Sequence, residues 1–111
     1  MPAFGFLVTL EARPGKEAAV AAFLREAKTL VDAEPGTLTW FGFQAGATTF
    51  CIFDAFNTEA DRQVHLHGEV RAALQAHADE LFDVLPTITV VDVLAAKLPA
   101  DATARIHHPS P

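Results

Sequence analysis

Between Ala3 and Glu11 the chain alternates, with Phe4, Phe6, Val8 and Leu10 on one parity and Gly5, Leu7, Thr9 and Glu11 on the other. A period of two predicts a strand, and Leu7 makes its second face partly apolar. Pro14 and Gly15 break the pattern. From Lys16 to about Asp32 the apolar positions Val20, Phe23, Leu24, Ala27, Leu30 and Val31 recur every three or four residues, which predicts a helix that Pro35 and Gly36 stop. TLTWFGFQ (37 to 44) and TTFCIFDAF (48 to 56) are aromatic, β-rich runs around Ala45-Gly46-Ala47, and they predict a hairpin. Thr58 with Asp61 three residues later has the form of a capping box, so a short helix is expected to about His67, interrupted at Gly68. Val70, Ala73, Leu74, His77 and Leu81 then share a helical stripe running from Glu69 to about Val84, before Pro86 opens a last strand, TITVVDVLA.

The order β-α-β-β-α-β predicts an α+β fold of the ferredoxin-like kind, a four-stranded antiparallel sheet with helices on one face. Neither sheet face is polar. Phe41 and Phe43 fall on one parity with Leu38 and Trp40 on the other, and Val90 and Val91 are both apolar. Two helical regions cover one face only, so the other is expected to meet a second copy, sheet against sheet, in a homodimer. Grouping the polar residues Gln44 and Asp54 on one face favours an odd-length hairpin loop, with Phe41 beside Phe53 and Trp40 beside Asp54. In that register Trp40 is expected on the dimer side.

Composition narrows the field. The 111 residues suit one domain with a sizeable core, and eight Lys plus Arg against fourteen Asp plus Glu leave a net charge of −6. That charge argues against nucleic acid and anionic membranes as partners. Cys51 is the only cysteine, so neither an intrachain disulfide nor a thiolate metal cluster is available, which fits a reducing cytoplasm. The first residues, MPAFGFLVTLEARPG, hold no positive charge before Arg13 and too short an apolar run for a signal peptide or a membrane span. The expected domain is 1–98. The remainder, 99–111, lacks apolar periodicity and is expected to be a flexible tail.

The stretches WFGF, TFCIFDAF, HLHGEVRAAL and VDVLAAKLP, in this order, resemble the antibiotic biosynthesis monooxygenase superfamily, the dimeric α+β barrel proteins, over about residues 3 to 98. The resemblance implies a ferredoxin-like subunit whose sheet joins its partner's in a barrel. It also implies a pocket between sheet and helices, where some members oxidise quinols or polyketide phenols with molecular oxygen and neither metal nor flavin. Other relatives degrade haem, isomerise a sugar derivative or have no established activity. The strand-one asparagine of the haem-degrading branch has no counterpart in FGFLVTLEA, and the tyrosine of some phenol-oxidising relatives has none anywhere in the chain.

On this resemblance His65 is the candidate catalytic residue, at the position where the family commonly directs a histidine toward the pocket. A neutral imidazole is the ordinary base for turning a phenol or hydroquinone into an electron-rich anion. The bland alternative is a helix-end histidine bonded to a carbonyl or to water. His67 lies about 200° further around the helix, so the HLH pair is not a chelating pair and no metal site is expected. His77, on the apolar stripe, is expected as a satisfied core histidine or a second pocket group.

Phe41, Phe43 and Phe53, with Phe56, are candidate walls for a planar aromatic substrate, although aromatic strand residues are more often simply core. Asp54 and Asp92, inside strands, are open to pairing with each other, with Arg62 or Arg71, or with backbone and water. Cys51 reads as an inert small hydrophobe, and His107-His108 lacks the partners of a metal site. No phosphate loop, HExxH or serine nucleophile motif is present, the sole serine being Ser110. The expected activity is a cofactor-independent monooxygenase acting on a small quinol-like or other aromatic substrate. A non-catalytic binding protein using the same pocket, and an isomerase using His65 for proton transfer, remain as alternatives.

Overall fold

The chain folds in the expected order, as β1 (Phe4–Glu11), α1 (Glu17–Asp32), β2 (Thr39–Gln44), β3 (Thr49–Phe56), α2 (Glu59–Leu66), α3 (Glu69–Leu81) and β4 (Thr87–Asp92). The computed structural model describes residues 2–99. The flexible tail expected over 99–111, His107 and His108 included, lies outside them apart from Pro99. The four strands form one antiparallel sheet in the order β2-β3-β1-β4. The two crossovers through helical segments bring β1 between β3 and β4, which is the ferredoxin-like arrangement.

Parity then decides which residues meet the helices. Phe6 pairs with Asp54, Val8 with Ile52 and Leu10 with Phe50, and these six are buried. Onto them α1 packs Val20, Leu24 and Val31, and α3 packs Val70, Leu74 and Leu81, joining one hydrophobic cluster with Ala12 and Phe82. Each fully buried side chain of this size stabilises the fold by roughly 1.5–3 kcal/mol relative to exposure.

Local chemistry sets the ends. Gly15, with φ of 83°, takes the left-handed turn that carries β1 into α1. Thr58 caps α2 by accepting a hydrogen bond from the Asp61 N–H at 3.1 Å. The second long helix stops at Leu81, short of the expected Val84, because the end of β1 captures the chain. Phe82 bridges to Ala12, and the Asp83 N–H donates to the Glu11 carbonyl.

The hairpin register is the odd one, with Phe41 opposite Phe53 and Trp40 opposite Asp54. The expectation that Trp40 faces a dimer partner is nevertheless overturned. Trp40 shares the helix side with Asp54, is half-buried and packs against the core cluster. Gly42 makes room for it, since a Cβ there would lie 3.1 Å from the edge of the indole. It is the other parity that stays open: Phe41 is 60% and Phe43 43% exposed, and Phe53 is half-buried.

Candidate functional site

Three segments far apart in the chain converge on His65. The last turn of α2 presents the imidazole toward the sheet, where it is buried. From β3, Asp54 rises on the helix-facing parity, and from the turn after α1 comes Glu34. His65 Nδ1 lies 2.6 Å from Glu34 Oε1, and Nε2 lies 2.9 Å from Asp54 Oδ2. The Phe56 ring packs beside the imidazole, with centroids 5.2 Å apart.

Gly68, the residue that separates α2 from α3, is part of this construction. A Cβ at that position would stand 2.9 Å from Glu34 Oε2, so the missing side chain is what lets the carboxylate reach across. Thr37 steadies the same carboxylate, its hydroxyl donating to Glu34 Oε1 at 2.7 Å.

A neutral imidazole has one N–H and one lone pair, so it cannot donate to a carboxylate from both nitrogens. Facing two carboxylates favours the doubly protonated ring. Burial pushes the His65 pKa down, but the hydrogen bonds to Asp54 and Glu34, together with both negative charges, outweigh it and raise the pKa above its ordinary value. The C-terminal end of α2 adds its partial negative charge to the same preference. The balance at His65 is thus shifted toward its protonated form.

Asp54 is the most buried of the three, 1% exposed, and its Oδ1 has no hydrogen-bond partner. Buried polar atoms without partners are uncommon, and one in a carboxylate is costly. Asp54 and His65 together line a cavity of about 30 Å³, closed by Phe6, Val8, Ile52 and Leu74 among others. At its outer side Arg71, Leu74 and Ile88 also line a groove of about 500 Å³ between α3 and β4. Leu85 and Pro86 form its far wall. A wider hollow of about 610 Å³ beside β2 reaches Glu34 but neither His65 nor Asp54. The small cavity, with the groove beside it, is the candidate site, because Asp54 and His65 both line the cavity.

The residues expected from sequence separate into two groups. His65 stands at the cavity. Phe41, Phe43 and Phe53 do not wall it, because their odd-numbered parity puts them on the other side of the sheet from Asp54; Phe41 instead lines the hollow beside β2 and Phe43 a neighbouring one along α1. His77 is likewise neither core nor pocket. Val70, Leu74 and Leu81 of its stripe are buried, but His77 itself is not, its side chain 51% exposed, edge-on to Phe23 and 3.8 Å from Glu80. His67 is exposed, as expected of its position, and Cys51 is a buried free thiol.

Asp54 was legible as a strand acid, but its partner was not, and Glu34 gave no signal beyond preceding Pro35-Gly36. A carboxylate on the helix-facing parity of an otherwise apolar strand is the one pattern that marks Asp54 in advance. Among the described residues no group of three or more His, Cys, Asp or Glu side chains is arranged to hold a metal. In the present cluster the two carboxylates take up both imidazole nitrogens.

Arg62 completes this end of the molecule. Its buried guanidinium lies 5.3 Å from the Phe4 ring centroid and 5.6 Å from that of Phe6, and pairs with Glu59. It also donates weakly to the Gly5 carbonyl at 3.4 Å. The guanidinium and the Gln63 amide hold the exposed Glu59 carboxyl below its usual pKa. Arg62 thus anchors α2 to β1, and so holds His65 in place.

No family model and no curated protein matches the chain. Among solved structures, a protein of unknown function from Nitrosomonas europaea is 50% identical, with 89% of this chain and 96% of that one covered and a TM-score of 0.86. A candidate antibiotic biosynthesis monooxygenase from Caulobacter crescentus is 18% identical, covering 85% of this chain and 92% of that one, with a TM-score of 0.71. A second such candidate, from Nitrosomonas europaea, is 16% identical over 83% of this chain and 90% of that one, with a TM-score of 0.72. At these last identities the likeness is one of fold.

Proposed function

The chain belongs to the family of the Nitrosomonas europaea protein of unknown function and has the fold of the antibiotic biosynthesis monooxygenases, and from that premise we propose that it is a cofactor-independent monooxygenase of small quinol-like or other aromatic molecules. The observation that carries this reading is the cluster of half-buried Glu34 with the buried His65 and Asp54, the last two at the wall of a mostly apolar cavity. Such a cluster can take a proton from a hydroxyl while its apolar surroundings keep water out. No described helix is long and apolar enough to cross a membrane, and the proposed setting is the cytoplasm, with the protein working as a homodimer.

His65 enters as the proton-holding centre of the cluster rather than as a lone neutral base. When a quinol's hydroxyl proton passes to the cluster, the resulting anion can give electrons to molecular oxygen. One oxygen atom ends as a ring hydroxyl and the other as water, while the ring leaves as a quinone. The substrate supplies all the electrons, so the balance closes without a flavin or a metal.

Oxygen uptake with a panel of hydroquinones, measured on metal-stripped protein and on a His65→Ala variant, tests this. The expected result is uptake with the quinone as product, slowed in the variant by about 10²–10⁴-fold, the usual scale of acid–base catalysis. No uptake, or uptake unchanged in the variant, overturns it. A binding protein is the second reading, favoured by both His65 nitrogens already being taken up by Glu34 and Asp54. A ligand that raises the melting temperature without turnover is the result that would support it.

A further inference from the structure

Three features of the site bear on which substrate it takes, and one of them, an unpaired charge, stays unused by a plain quinol. Asp54 Oδ1 is a buried acceptor with no donor, in a residue that lines the inner cavity. The inner cavity, at about 30 Å³, has room for little more than a hydroxyl or a water, so the body of any ligand must lie in the adjoining groove. That groove is walled by Leu74, Ala78, Leu85, Pro86 and Ile88, which suit a flat apolar body, with Gln75 and Asp79 of α3 also on its lining. At the junction of the two stands Arg71, half-buried, whose guanidinium makes no salt bridge and no hydrogen bond among the described residues. A guanidinium at the mouth of an apolar groove is suited to bidentate pairing with a carboxylate.

We infer that the site takes a hydroxylated apolar acid, its hydroxyl donating to Asp54 Oδ1 in the inner cavity and its acid group pairing with Arg71 at the junction with the groove. The inference names a substrate class within the function proposed above and rests on the same site. Asp54 becomes the residue that touches the substrate, and His65, bonded to the other carboxylate oxygen, becomes its positioning residue. The hydroxyl supplies the donor that Oδ1 lacks, and the acid supplies the charge that Arg71 lacks. A neutral apolar ligand would supply neither and would leave both groups desolvated without partners.

The test uses three matched probes, hydroxynaphthoic acid, its methyl ether and its methyl ester, with dissociation constants from calorimetry on the full chain. The hydroxy acid is expected to bind at least about tenfold more tightly than either derivative, the scale of one charge-assisted hydrogen bond. Arg71→Gln is expected to remove the gap between acid and ester while keeping that between hydroxyl and ether. Asp54→Asn, which keeps the shape and loses the charge, is expected to narrow the hydroxyl gap. Should that variant fail to fold, the wild type and Arg71→Gln still decide.

Equal binding of the three probes, no binding at millimolar concentration, or an acid–ester gap that survives Arg71→Gln overturns the inference. Oxygen uptake followed in parallel separates it from the proposed activity. The expected binding pattern without uptake leaves the ligand class standing and removes the oxygenase. Uptake from neutral quinols with no preference for acids does the reverse.

Discussion

His65 binds its proton more tightly in the folded protein than in the unfolded chain, so that proton is linked to folding. The folded pKa lies above the ordinary value of 6.5. Between the two values the native state carries more protons than the unfolded one, and stability therefore falls as pH rises across that interval. Below it the contribution is fully present, and above the folded pKa it is gone. Urea unfolding at a series of pH values, on wild type and His65→Gln, is expected to show a loss of stability with rising pH in the wild type that is largely absent in the variant. Parallel curves across that window would mean that the proton is not shared in the folded state as the two carboxylate contacts require. The exposed His67 and His77 are present in both proteins, so the difference between the curves isolates His65.

Among the elements, the joint between α2 and α3 matters most to the site. The break at Gly68 was visible in the sequence as an interruption of helical periodicity, and the capping of α2 by Thr58 was visible in its spacing to Asp61. What the joint does was not visible, because the space it leaves is filled by Glu34, which lies far away in sequence. Gly68 has an ordinary negative φ, so alanine there meets no backbone strain. Its methyl would instead press on Glu34 Oε2, with the Val64 and His65 carbonyls close by at 3.2 and 3.3 Å. Since the carboxylate is the freer of these to move, Gly68→Ala is expected to displace Glu34 and lower the His65 pKa toward that of a free imidazole, while changing global stability little. An NMR titration of the imidazole reads this directly, and an unchanged midpoint would show that Glu34 needs no clearance.

For the molecule as a whole, the sheet remains two-sided. Helices cover the parity of Phe6, Val8 and Ile52, whereas Phe41 and Phe43 on the other parity stand 60% and 43% exposed. Exposed aromatic surface of this extent on a strand pair is the mark of an interface. A mass measurement in solution at micromolar concentration is expected to give twice the 11.9 kDa of the chain. A monomer at that concentration would remove the homodimer from the proposal.

The element order, the strand pairing of the hairpin and the two-sided sheet could all be argued from the chain alone, because hydrophobic period and turn residues are local properties and backbone hydrogen bonding leaves few ways to satisfy them. Which face each aromatic serves could not. Register put Phe41 opposite Phe53 as expected, yet whether that pair or Trp40 and Asp54 met the helices depended on how α1, α2 and α3 docked. The convergence of Glu34, Asp54 and His65 depended on docking too, since a turn, a strand and a helix end each look unremarkable until packing brings them within hydrogen-bonding distance. HLHGEV raised the question of a metal pair. Of those two histidines the fold buries His65 alone, whose partners come from elsewhere because only tertiary packing can withdraw water from two carboxylates and an imidazole together.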